Sequence, residues 1–118
     1  MAKEKQFENR LKDHLKDIGA WYIKYWAGAT YTKEGIPDLL ICHNGSFIAI
    51  EVKAPTGKPS LLQLVTLRKI REAGGIGILL YPDDFMRFKT FINGQADSWY
   101  KENIAMQNSI YKKLLSKS

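Results

Sequence analysis

Apolar residues recur at helical spacing through residues 3–18, where Phe7, Leu11, Leu15 and Ile18 share one face and Gly19 offers a C-terminal cap. The period then shortens. Trp21 to Trp26 is aromatic and β-rich and predicts a strand, and Ala27 to Ile36, which holds two glycines, predicts a loop. Leu39–His43 and Ser46–Val52 are rich in apolar and β-branched side chains and flank Asn44-Gly45, the strongest short hairpin signal. Two prolines and a glycine make residues 54–59 irregular, after which Ser60 caps a helix from Leu61 to about Ala73, ended by Gly74-Gly75. Ile76–Tyr81 is nearly all apolar, as expected of a buried strand. Asp83 or Asp84 can cap a helix to about Asn93, residues 94–102 predict a polar connection, and Ile104–Leu115 predicts a last amphipathic helix.

The predicted order is helix, three strands, helix, strand, helix and a helical tail. With Asn44 and Gly45 as the two loop residues, His43 faces Ser46, and Leu39, Ile41, Ile48 and Ile50 share one face of the hairpin. Leu40, Cys42, Phe47 and Ala49 share the other, so helices are expected on both faces, with the Ile76 strand parallel to the Phe47 strand. The expected fold class is α/β, a mixed sheet flanked by helices. One domain spans residues 1–118, with a core at about 4–93 and a tail at about 103–115.

The hairpin register also predicts chemistry. It places Asp38 opposite Glu51 on one face, their Cβ atoms roughly 5 Å apart, with Lys53 projecting from the same face. Two carboxylates supply hard oxygen ligands that suit Mg²⁺ or Mn²⁺. Zinc would want histidine or cysteine, and only His14, His43 and Cys42 exist, with His43 at the far end of the hairpin. A lysine beside two acids stays protonated, which favours electrostatic stabilisation over a general-base role. A salt bridge that specifies packing is the competing reading of the same three residues.

Composition narrows the partners. The 118 residues carry 18 lysines and arginines against 12 acids, a net charge of +6 that favours a polyanion such as nucleic acid. No apolar run approaches a membrane span and the lysine-rich start does not resemble a signal peptide, so a cytoplasmic location is expected. The single Cys42 permits no internal disulfide and, lying in an apolar run, is expected to be a buried structural thiol.

Gly35-Ile36-Pro37-Asp38, twelve intervening residues and Glu51-Val52-Lys53 resemble the signature of the PD-(D/E)XK nuclease superfamily, specifically its VRR-NUC branch. The run from Glu51 to Gln63 is similar to that branch's extended signature. Glu8-Asn9-Arg10-Leu11, with Leu15 and Gly19 behind it, resembles the opening helix of archaeal Holliday junction resolvases. The resemblance covers about residues 4 to 81. It implies a restriction endonuclease-like core and a metal-dependent endonuclease that hydrolyses DNA phosphodiester bonds. It further implies that Glu8, Asp38, Glu51 and the Val52 carbonyl hold the metal, while Lys53 and Gln63 position water and the scissile phosphate. Helical geometry alone admits Glu4 as well as Glu8, and Gln63 also completes a capping-box pattern with Ser60.

Lys33 and Lys58 flank the site on loops and are candidates for gripping phosphates, with Tyr31 the candidate for base stacking. Trp21 and Trp26 are assigned to the core, and His14 to packing or the surface. Small size favours structure-selective cleavage of branched DNA, with a homodimer making paired nicks across a four-way junction. A nicking or flap nuclease and a non-catalytic DNA-binding adaptor are the alternatives. Compact stand-alone members of this branch suit a viral or mobile-element origin.

Overall fold

Asn44 (φ 49°) and Gly45 (φ 79°) both adopt the left-handed backbone that a tight two-residue hairpin turn requires. On either side of them β2 (Leu39–His43) and β3 (Ser46–Val52) pair antiparallel, from His43↔Ser46 to Leu39↔Ile50, in the register read from the sequence. The structure is a computed structural model and describes residues 2–26, 33–95 and 98–117. Helix α1 (Ala2–Asp17) leads into β1 (Trp21–Lys24), which pairs antiparallel with β2. After the hairpin, α2 (Leu61–Glu72) crosses over to β4 (Ile76–Leu80), which runs parallel to β3. A 3₁₀ turn at Pro82–Asp84, α3 (Phe85–Ile92) and α4 (Trp99–Ser116) complete the chain. The result is a four-stranded mixed sheet in the order β1-β2-β3-β4, flanked by helices.

Alternation along the strands divides the core in two. Leu39, Ile41, Ile48, Ile50, Val52, Ile78 and Leu80 face Phe7, Leu11 and Leu15 of α1 and Phe85, Phe88 and Ile92 of α3. On the other face Leu79 packs with Leu64 and Leu67 of α2, against Met106, Ile110, Tyr111 and Leu114 of α4. That second cover stops short of β1 and β2. Trp21, Ile23 and Phe47 are exposed there, and so is Cys42, which is therefore not the buried thiol expected. The reason lies in the strand order: α2 and α4 both pack on β4 at one edge, and no described helix reaches the other half of this face.

The C-terminal segment also departs from expectation. Helix α4 begins at Trp99, inside the expected polar connection, and is an integral layer rather than a tail. Trp99 is 2% exposed and meets Phe88 and Phe91 ring to ring. Asn103 donates to the Leu79 carbonyl (2.8 Å) and accepts from its N–H (3.1 Å), Gln107 donates to the Gly77 carbonyl (2.9 Å), and Gly77 N–H donates to the Tyr100 hydroxyl (3.1 Å). These side chains take the hydrogen bonds that a fifth strand would otherwise make, closing the β4 edge.

Candidate functional site

At the C-terminal end of β3 three elements bring charged side chains together. Asp38 lies one residue before β2, and its position is set by backbone on both sides. Its carbonyl accepts from Tyr25 N–H (2.9 Å), extending the β1–β2 pairing, and its Oδ2 accepts from Val52 N–H (2.8 Å). Gly35, which opens the Gly-Ile-Pro-Asp run, has φ 77°, and a Cβ there would lie 2.5 Å from Leu62 Cγ. Only glycine allows this loop to turn and to rest on α2 at once.

Glu51 is 3% exposed, and its Oε1 has no hydrogen-bond partner. Burial first, and then the negative charge of Asp38, push its carboxyl up to about 8, with Lys53 pulling the other way. Lys53 Nζ lies 3.3 Å from Glu51 Oε2 and donates to Gln63 Oε1 (3.1 Å). That same oxygen accepts from Ser60 N–H (2.9 Å), while Gln63 N–H donates to Ser60 Oγ (3.1 Å). The capping box and the contact with the site are thus one arrangement: the cap fixes the side chain that holds Lys53.

Glu8 comes from the opposite face, on α1, and is 3% exposed. Its Oε1 is 2.6 Å from Lys24 Nζ, its Oε2 is 3.2 Å from Lys12 Nζ, and Lys24 Nζ is also 3.2 Å from Asp38 Oδ1. Burial alone would raise the Glu8 carboxyl, but the hydrogen bonds from Lys24 and Lys12 outweigh it and hold the group below the usual carboxylate range. Burial likewise works against the Lys24 ammonium, and Glu8 and Asp38 outweigh it and raise it. Glu4, exposed to intermediate degree in the first turn of α1, makes no described contact with these residues.

Lys24 is the member that sequence reasoning missed. The signal was present in part, since alternation along Trp21–Lys24 puts Tyr22 and Lys24 on the α1 side. The β1–β2 register that sets Lys24 beside Asp38 carries no hairpin signal. Trp26 is a second correction: it is 67% exposed, not in the core, with Lys5 Nζ 5.9 Å and Lys24 Nζ 5.7 Å from its ring centroid. Trp21 is exposed too. Val52 contributes its N–H to Asp38. Lys58 is exposed beside a cavity of about 510 Å³ that Lys113, Lys117 and Tyr81 also line. Lys33 is exposed, its backbone held by the Tyr25 hydroxyl at 2.7 and 3.1 Å, and Tyr31 lies outside the described residues.

The donor set fits a hard cation in its chemistry: acidic oxygens, one of them buried with no partner. Its arrangement is already balanced by lysines, and among the described residues no three His, Cys, Asp or Glu side chains are grouped to hold a metal as they stand. Compared with known families and with curated proteins, the chain matches no family model and no curated sequence.

Proposed function

We propose that the chain is a divalent-metal-dependent DNA endonuclease of the PD-(D/E)XK type, with a VRR-NUC-like arrangement. The observation that carries the reading is Glu51, a buried carboxyl with an unpartnered oxygen, set beside Asp38 and followed by Lys53. The Oε1 oxygen, buried without a hydrogen-bond partner, costs stability as it stands, and a divalent cation is a partner that would complete it. Glu8, Asp38, Glu51 and the Val52 carbonyl would hold Mg²⁺ or Mn²⁺. When bound, such an ion polarises a phosphoryl oxygen, lowers the pKa of bound water and neutralises the leaving group.

The chain's own residues do the rest. Of the three donors on an ammonium, Lys53 has partners at Glu51 and Gln63, which leaves one to direct at a phosphate oxygen or the attacking water. Gln63, locked by its cap, fixes the direction in which that donor points. Val52 N–H aims the Asp38 carboxylate. Trp26, exposed and flanked by Lys5 and Lys24, suits a base stacked next to the site with its phosphates met by ammonium groups. Branched or otherwise structured DNA remains the favoured substrate, because a 118-residue domain has little surface with which to read sequence.

Cleavage of a junction, flap, duplex and single-strand panel with Mn²⁺ is the direct test. Glu51→Ala and Lys53→Ala should each lower cleavage at least about 100-fold while circular dichroism shows the fold intact. Full activity in either variant would overturn the assignment. Mn²⁺-independent DNA binding without cleavage by the native protein would favour the adaptor reading.

A further inference from the structure

The four carboxylate oxygens of Glu8 and Asp38 are each engaged. Glu8 Oε2 holds Lys12 (3.2 Å) and Asp38 Oδ2 holds Val52 N–H (2.8 Å). The two remaining oxygens, Glu8 Oε1 and Asp38 Oδ1, are bridged by the single ammonium of Lys24, at 2.6 and 3.2 Å. A cation that joins the acid of α1 to the acid of the hairpin through these two oxygens takes the place of that ammonium. An ammonium and a divalent ion cannot share them, because like charges at such separation repel strongly in a partly buried site.

Lys24 has somewhere to go. Its side chain is a flexible four-carbon stem, and the ring of Trp26, itself exposed, lies 5.7 Å from Nζ. We propose that Lys24 is a displaceable internal counter-ion: it occupies the cation position between Glu8 and Asp38, and metal loading expels its ammonium towards Trp26 and the nucleic acid. The proposal rests on the nuclease reading and adds to it a reason for the site to be stable before loading. It also couples loading to a gain of positive charge on the DNA-facing surface. Without metal, Lys24 keeps two acids from repelling one another. With metal, the same ammonium becomes free to meet a phosphate.

Two measurements without DNA test this. Calorimetric titration with Mn²⁺ should show Lys24→Met binding at least tenfold more tightly than the native protein, since no internal cation competes. Acylation of amines in the native protein, read by mass spectrometry, should show Lys24 labelling rise several-fold on Mn²⁺ addition, with exposed Lys58 as the internal standard. The second measurement needs no variant to fold. Equal or weaker Mn²⁺ binding by Lys24→Met, or Lys24 labelling unchanged by a metal that binds, overturns the proposal alone. Mn²⁺ binding by neither protein overturns the nuclease reading and the proposal together.

Discussion

Glu51 sets the behaviour of the site at the scale of one residue. Its carboxyl titrates at about 8 in the fold, against an ordinary value of 4.5 in an unfolded chain. The folded protein therefore holds this proton more tightly. Its contribution to stability is fully present below pH 4.5 and is lost as pH rises towards 8, where a bare buried carboxylate must be carried. The metal-free protein should thus lose on the order of a few kcal/mol across that window. Thermal unfolding from pH 5 to 8.5 in a chelating buffer checks this, and Glu51→Gln should flatten the slope. Mn²⁺ should raise the midpoint more at pH 8 than at pH 5.5, because a metal takes the deprotonated carboxylate. Asp38, Glu51 and Lys53 were legible in the sequence since a two-residue turn fixes their register. Lys24 was not: its contacts with Glu8 and Asp38 join residues 16 and 14 apart across elements with no local signal.

At the scale of elements, α4 shows how a hydrophobic pattern can mislead. Residues 99, 103 and 107 fall on one face at helical spacing, but two of them, Asn103 and Gln107, are amides. Read for apolarity, that stripe breaks, and the pattern starts the helix later, at Ile104. It is buried all the same, because the surface it covers is a strand edge whose N–H and C=O groups demand polar partners. Arg71 also donates to Gln107, tying α2 to the same row. Asn103→Leu keeps the branched shape but leaves Leu79's backbone groups unpaired, and should cost about 1–3 kcal/mol. Urea denaturation should report this as a lower midpoint with an unchanged slope. Gln107→Leu should behave alike, whereas Asn108→Ala, on the exposed side, should change little.

The whole molecule combines a basic surface with one uncovered apolar face. Trp21, Ile23, Leu40, Cys42 and Phe47 share that face across β1, β2 and β3, and none carries a charge. In a chain of net charge +6, it is a place where two copies can meet without bringing like charges together. The homodimer expected from paired cleavage would use it as a two-fold contact. Sedimentation should then show a dimer for the native protein and a monomer for Phe47→Glu. A native monomer at tens of micromolar would remove the dimer and leave the active-site assignment standing. No described helix is long and apolar enough to cross a membrane.

The sequence by itself determined what local rules reach. Asn44-Gly45 fixed the hairpin, Gly19 and Ser60 fixed helix ends, and the apolar runs marked the strands, with β4 parallel to β3 in a mixed sheet. The register ends one pair short of Asp38 and Glu51, and it brings Asp38 near enough for its charge to act on the Glu51 carboxyl. Tertiary structure decided everything that depends on which surfaces meet. It put Lys24 between two acids, left Cys42, Trp21 and Trp26 outside the core, and recruited Asn103 and Gln107 into it. The physical reason is the same in each case. A side chain's environment is set by the element packed against it, and neither hydropathy nor spacing along one segment records what that neighbour is.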